Sequence, residues 1–103
     1  MRWKYIPDTE NKYEVSDEGW VRRTYYKRNG EVSTIKYLHP IMNCSNLRVW
    51  IKRYGKRAYF SIHRLVAEAF IPGFDLFNLK QRVKHIDGDI TNNNVLNLKI
   101  VQA

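Results

Sequence analysis

A chain of 103 residues and 12.4 kDa, with 44% hydrophobic and 27% charged residues, holds one domain with one core, which excludes a (β/α)₈ barrel, a two-lobed enzyme and a full dinucleotide-binding fold. Eighteen Lys/Arg against ten Asp/Glu give a net charge of +8, which favours a polyanionic partner such as nucleic acid. The single cysteine, Cys44, excludes an internal disulfide and a cysteine-based zinc site and indicates a reducing compartment. We expect Cys44 to be a small, half-buried residue.

The first part of the chain has the pattern of antiparallel strands joined by tight turns. Residues 13–16 alternate apolar and polar side chains, which is typical of a short strand. Residues 17–19 are a turn signal, and residues 20–26 read as the returning strand. Asn29-Gly30 is the strongest hairpin-turn signal of the chain.

The middle of the chain continues this pattern with a two-faced strand. Leu47, Val49 and Ile51 alternate with basic or aromatic residues, which predicts a half-buried strand with a basic outer face. Residues 54–56 turn the chain, and residues 57–62 bring it back. We therefore expect a small β-meander that carries many arginine, lysine, tyrosine and tryptophan side chains.

Most of the positive charge belongs to this β-rich part. Residues 1–60 contain 13 Lys/Arg and 6 Asp/Glu, a net +7, whereas residues 61–103 contain 5 and 4, a net +1. A two-stranded ribbon fits the major groove of DNA, and arginine can address guanine or phosphate. We expect the cations on or beside the hairpins to contact DNA: Arg22, Arg23, Arg48, Lys52, Arg53, Lys56 and Arg57.

In the last part of the chain, the spacing of the apolar residues changes from the alternation of a strand to the spacing of a helix. In residues 63–70, the apolar side chains fall on one helical face, and Pro72-Gly73 ends the predicted helix. A loop with apolar anchors follows, and residues 82–86 and 98–101 have the composition of two short strands. The sequence therefore predicts an α+β fold.

His85 ends the first of these two strands and is followed by a turn and a group of asparagines that includes Asn97. In a metal nuclease, a histidine takes the proton of the attacking water, and an asparagine can fix the ring by accepting from its N–H. A lone histidine is also a common packed residue. Spacing alone leaves both interpretations open.

Several motifs, in order along nearly the whole chain, closely resemble the HNH homing endonucleases of phages and introns. The start of the chain (residues 3–22) is similar to the nuclease-associated modular DNA-binding motif that precedes the HNH unit in that family. The HNH-like motifs are residues 63–71 (HRLVAEAFI), residues 83–89 (VKHIDGD), Asn92-Asn93 and Asn97-Leu98.

The resemblance implies a DNA-binding part (residues 1–60) and a ββα-metal unit (residues 61–103) within one domain. It implies that His85 is the general base for the attacking water. It further implies that Asn97 orients the His85 ring and shapes the metal loop.

The chain departs from the family pattern at the positions where the family has its metal ligands. Lys84 stands where the family has a metal ligand, and an ammonium group repels a divalent cation by roughly 1 kcal/mol in water. By the family's spacing, the helix with the second ligand would place that ligand beyond Ala103. The expected unit is therefore a truncated ββα-metal hairpin without an assigned metal ligand, and Mg²⁺ is expected only if the chain is an active nuclease. Asp87 and Asp89 are expected to be turn residues.

The leading hypothesis is a DNA-binding protein of HNH homing-endonuclease type with weak or no cleavage of double-stranded DNA. Two alternatives stay open: an active, divalent-metal-dependent nicking endonuclease, and a phage-type protein that has kept the scaffold and modulates a host protein. No membrane association is expected, and the cytoplasm of a bacterial or phage-infected cell is the expected location.

Overall fold

The computed structural model describes residues 1–43 and 46–102, and the α+β class predicted from the sequence is confirmed. The prediction for Cys44 lies outside the described residues. One α-helix, α1 (Ile62–Phe70), and one 3₁₀ helix (Val95–Asn97) occur within these ranges. The strands are β1 (Trp3–Tyr5), β2 (Tyr13–Ser16), β3 (Val21–Tyr26), β4 (Val32–Tyr37), β5 (Ile41–Asn43), β6 (Asn46–Arg53), β7 (Lys56–Ser61), β8 (Gln81–His85) and β9 (Leu98–Gln102).

The first sheet has the strand order β1-β2-β3-β4 and is antiparallel throughout. Val15 and Val21 pair across β2 and β3, and both are buried. Gly19, in the turn between these strands, has a φ of +89°, a conformation that favours glycine. The predicted Asn29-Gly30 turn closes the hairpin of β3 and β4. β4 lies at the edge of the sheet and is exposed along its whole length.

The second sheet has the order β5-β6-β7. Val49 and Ile51 in β6 are buried, whereas Trp50 and Lys52 between and after them are exposed. This alternation is the one that the sequence predicts, because successive side chains of a strand point to opposite faces. The predicted half-buried strand is confirmed.

The expected meander is divided into two sheets rather than continuing through one. β4 ends at Tyr37 and β5 begins at Ile41, with His39-Pro40 between them. Proline has no N–H to donate to a neighbouring strand, so regular pairing does not run through this segment.

The helix α1 packs its apolar face against both large sheets and the β8–β9 hairpin. Ile62, Leu65 and Val66 are buried, and Ile71 N donates to Ala67 O at 2.9 Å where the helix ends before Pro72. α1 has nine residues, and no helix in residues 1–43 or 46–102 is long and apolar enough to cross a membrane.

One core joins the two ends of the described chain. Val15 and Ile51 from the strands, Leu65 from the helix and Leu98 from β9 belong to the same buried cluster. The loop between α1 and β8 contributes Phe74 and Leu76, the apolar anchors that the sequence predicts. Side chains from before and after residue 60 are therefore packed together.

Candidate nucleic-acid interface and histidine site

His85 lies at the end of β8, with its ring held in the interior. The side chain is 8% exposed, and its Nε2 is 2.7 Å from Oδ1 of Asn93, which is itself 4% exposed. An amide oxygen only accepts hydrogen bonds, so Nε2 carries the proton in this contact. In the neutral ring, Nδ1 is then the basic nitrogen.

Asn97, which the resemblance assigns to orienting His85, makes different contacts. Its Oδ1 accepts from Asp87 N at 3.1 Å, and its Nδ2 donates to Asp87 Oδ1 and Asn92 O, each at 2.9 Å. The predicted contact between Asn97 and the His85 ring is therefore wrong, because the Asn97 amide bonds to Asp87 and Asn92 instead. The side chain that contacts the ring is Asn93, which the sequence analysis did not single out for this role.

The carboxylates after His85 are engaged within their own loop. Asp87 Oδ2 accepts from Asn92 Nδ2 at 3.0 Å, and Asp89 Oδ1 accepts from Thr91 N and Oγ1 at 2.9 and 2.7 Å. The hydrogen bond from Asn92, followed by those from Asp89 N and Asn97, holds the pKa of Asp87 below its usual range. The hydrogen bonds from Thr91 do the same for the pKa of Asp89. Both are turn residues, as expected from the sequence.

His63, at the start of α1, packs against the His85 ring with 5.1 Å between ring centroids. It is 8% exposed. Burial, then the nearby positive charges of His85, Arg64 and Arg48, lowers the pKa of His63 from 6.5 to about 4. At neutral pH, His63 is therefore an uncharged neighbour of the His85 ring.

The side chains around His85 do not fit a divalent-metal site. Mg²⁺ prefers oxygen ligands, yet the position before His85 holds Lys84, which is exposed and pairs in register with Lys99. The nearby carboxylates are Asp87 and Asp89, which the loop engages. Within the described ranges, no three His, Cys, Asp or Glu side chains form a metal-ligand group.

Lys84 and Lys99 form a basic face, which the net charge of +1 for residues 61–103 did not predict. Lys84 lines a groove with Ile86, Lys99 and Val101 on the outer side of the β8–β9 hairpin. The carboxylate of Glu68, counted in the same segment, is instead paired with Arg53. The sum over residues 61–103 therefore conceals a local cluster of cations.

Three of the seven predicted DNA-binding cations share one side of the second sheet, which we term the β6–β7 outer face. In register, Trp50 pairs with Tyr59 and Lys52 pairs with Arg57, so each pair lies on one face. The rings of Trp50 and Tyr59 are 4.6 Å apart between centroids and about half exposed. The β6–β7 outer face comprises Arg48, Trp50, Lys52, Arg57 and Tyr59.

Arg53 corrects the prediction, because it points into the protein. It is 3% exposed, and its Nη1 and Nη2 donate to Glu68 Oε1 and Oε2 at 2.9 and 2.7 Å. The burial of Val49 and Ile51 on the same strand continues to residue 53, because side chains two residues apart share a face. The alternation within residues 49–53 was the signal that could have excluded Arg53 from a DNA-binding surface. Lys56, its partner in register, is exposed beside the turn.

Arg22 and Arg23 lie on opposite faces of β3. Arg22 Nε donates to Glu14 Oε1 at 3.1 Å, and its guanidinium lies 3.8 Å from the Trp3 ring centre. Arg23 Nη1 donates to the Tyr13 hydroxyl at 3.0 Å. The structure therefore engages Arg22 within the first sheet, whereas Arg23 reaches towards the second.

Arg23 reaches a cleft of about 180 Å³ where the two large sheets meet. Two carboxylates, Asp8 and Glu10, also line the cleft, and Glu10 pairs with Lys12 at 2.8 Å. Four cations line it: Lys12, Arg23, Lys52 and Arg57. The sequence contains a simple signal for the surrounding surface, since no Asp or Glu occurs between Glu31 and Glu68.

Comparison with known proteins identifies homologues over nearly the whole chain. It is 36% identical to DNA endonuclease I-HmuI of Bacillus phage SP01 over 98% of its own length and 52% of the relative's. It is 32% identical to an uncharacterized HNH endonuclease of Acanthamoeba polyphaga mimivirus, over 95% of this chain and 26% of that protein. No family model matches the chain.

The fold gives the same result. A solved structure described as DNA binding and cleavage by the HNH homing endonuclease I-HmuI superposes with a TM-score of 0.73 and 32% identity, covering 99% of this chain and 53% of that one. The chain thus spans about half the length of the phage enzyme. The resemblance drawn from the motifs is confirmed. By sequence and by fold, the chain is a relative of the HNH homing endonucleases.

Proposed function

We propose that this chain binds double-stranded DNA through the β6–β7 outer face and the cleft beside it, and that its own cleavage of DNA is weak. The observation that carries the proposal is the direct pairing of Lys52 with Arg57 across β6 and β7. Like charges directly opposite each other destabilise a sheet, and a DNA phosphate offsets that repulsion. Lys52 and Arg57 also line the neighbouring cleft, where Lys12 and Arg23 add two further positive charges.

The aromatic residues of the same face suit a nucleic-acid partner. Trp50 and Tyr59 present half-exposed rings next to the cations, and such rings contact sugars and bases. The relative I-HmuI is described as binding and cleaving DNA, which supports DNA as the partner here. We assign residues 1–60 mainly to DNA binding and residues 61–103 to an HNH-like unit.

Weak cleavage follows from the chemistry around His85. A general base contributes only about 10²–10⁴-fold, far below what phosphodiester hydrolysis requires. Further stabilisation of the leaving oxygen normally comes from a divalent ion. The described donors do not fit such an ion, and Lys84 adds a positive charge beside them.

An active nicking endonuclease is the second candidate, and one observation favours it. The His85 ring is buried, anchored through Nε2 and left with Nδ1 as its basic nitrogen, as a general base requires. We assign any cleavage by this chain to His85 as the base.

The purified chain is expected to nick supercoiled plasmid poorly with Mg²⁺ or Mn²⁺, because the described side chains do not supply a metal site. Gel electrophoresis of the plasmid over time measures this, with His85→Ala as the variant that separates the protein's own activity from a contaminant. Robust metal-dependent nicking that disappears in His85→Ala would replace weak cleavage with the enzyme as the function.

Binding to duplex DNA is expected to weaken steeply with salt. We expect log K to fall against log salt with a slope that corresponds to roughly four to seven neutralised phosphates. Lys52→Ala with Arg57→Ala should reduce that slope by about two, because both cations contact phosphate. Fluorescence anisotropy with a labelled duplex, titrated at several salt concentrations, measures both quantities.

The matched control is Lys27→Ala with Arg28→Ala, which removes two exposed cations from the turn between β3 and β4. It should leave the slope closer to that of the unaltered chain. Equal losses in the two double variants would show that the β6–β7 outer face is not the interface. A flat salt dependence would remove DNA as the partner and favour the host-protein alternative.

A further inference from the structure

The turn between β2 and β3 lies directly against the loop that holds His85. A Cβ atom added to Gly19 would lie 2.7 Å from Asn93 Cβ and 3.2 Å from Asn93 O, so no side chain fits between them. Val95 N donates to Asp17 O at 2.7 Å, which joins the backbones of the turn and the loop two residues beyond Asn93. The first sheet therefore fixes the position of Asn93.

The turn itself is held rigidly. The Ser16 hydroxyl is buried and accepts from Trp20 N at 3.0 Å and from Glu18 N at 3.3 Å. Gly19 N donates to Ser16 O at 3.1 Å. Because these bonds leave the turn little freedom, a change at Gly19 must be absorbed by Asn93.

We propose that Gly19 and Asn93 are positioning residues for His85: the β2–β3 turn holds the Asn93 amide where its oxygen accepts the Nε2 proton, and this fixes the ring as the tautomer whose Nδ1 is the base. The inference rests on the assignment of His85 as the base in the proposed function. It gives the first sheet a task at the histidine site, the preparation of the ring for proton transfer. Asn93 connects the two parts of the chain, because Gly19 of the turn packs against its Cβ and its amide oxygen contacts the His85 ring.

The test compares two glycine variants that impose the same backbone strain. Gly19→Ala and Gly30→Ala both force alanine into a positive φ, +89° and +90°. A Cβ at Gly30 meets nothing within 4 Å, whereas one at Gly19 collides with Asn93. Only Gly19→Ala should therefore disturb the ring of His85.

The readout is the pair of ring ¹⁵N chemical shifts of His85 in the free protein at about pH 8.5, where histidine is ordinarily neutral. Exposed His39 in the same spectra gives the reference tautomer ratio. In the unaltered chain and in Gly30→Ala, the His85 ratio should favour the Nε2–H form about tenfold more than that reference, which is the contribution of one buried hydrogen bond. In Gly19→Ala, it should return towards the reference.

If Gly19→Ala does not fold, a second pair of variants tests whether Asn93 fixes the tautomer of His85. Asn93→Asp keeps an oxygen acceptor at the same place and should preserve the Nε2–H tautomer, whereas Asn93→Leu, of similar volume, should lose the preference. The proposal is overturned if His85 in the unaltered chain shows the reference ratio, or if folded Gly19→Ala or Asn93→Leu keeps the full preference. These measurements contain no DNA, so a failure of the proposed function appears in the salt titration or in plasmid nicking by His85→Ala, and a failure of this inference appears only here.

Discussion

Replacing Arg53 with methionine should lower the free energy of unfolding by about 3 kcal/mol, although Arg53 was predicted to be a DNA contact. The guanidinium forms two bonds to Glu68 and lies about 5 Å from the centre of the Phe77 ring. Burial opposes its charge, yet the hydrogen bonds and the charge of Glu68 raise the pKa of Arg53 overall. Removing one partner leaves the other charge without compensation in a mostly buried place. Urea unfolding followed by tryptophan fluorescence measures the loss.

Lys52→Met is the matched control for this variant. Lys52 precedes Arg53 in the same strand but points to solvent, and substitutions at such positions usually change stability by less than about 0.5 kcal/mol. Lys52→Met should instead reduce the salt dependence of DNA binding. If Arg53→Met is as stable as the unaltered chain and loses DNA affinity as Lys52→Met does, the inward role of Arg53 is wrong.

Acidification from pH 6.5 to pH 4 should remove up to about 3 kcal/mol of stability through His63. The pKa of His63 is about 4 in the folded protein and 6.5 in the unfolded chain, so the unfolded state binds the extra proton between these values. The contribution is therefore complete above pH 6.5 and is lost as the pH falls towards 4. Urea unfolding at a series of pH values measures the slope.

His63→Gln should flatten this slope, because glutamine does not titrate. His39→Gln replaces an exposed histidine and should keep the slope of the unaltered chain. The carboxylates of Asp17, Asp87 and Asp89, whose pKa is lowered from an ordinary value of 3.8, act mainly below the window. The pKa of the exposed Glu10 is lowered from 4.5, so its effect reaches only the lower end of the window and is the same in both variants. An unchanged slope in His63→Gln would mean that burial does not keep His63 neutral in the folded protein.

The sequence predicted those strands and turns well whose structure depends only on residues that are neighbours in the chain. The returning strand after Gly19, the turn at Asn29-Gly30 and the alternation in β6 all follow from neighbouring residues. The division into two sheets depends on where β4 stops pairing, which local alternation does not encode. Edge strands such as β4, exposed on both faces, carry no burial pattern to detect.

The histidine site shows the limit of motif reasoning more sharply. His85 was found from the sequence, but several asparagines follow it, and spacing cannot decide which of them reaches the ring. That choice is made by a distant contact, Gly19 against Asn93, and by the engagement of Asn97 with Asp87. The catalytic role of His85 stays a prediction, as does that of Asn97.

The hydrogen bond between Asp17 and Val95 also has a consequence for the synthesis of the protein. It joins residues near opposite ends of the described chain, and such contacts form late because a long loop must close first. On the ribosome, β2 and β3 can pair soon after they emerge, but Asn93 meets the turn only when residue 95 has been made. A nascent chain would therefore carry the paired strands of the first sheet before it has an ordered histidine.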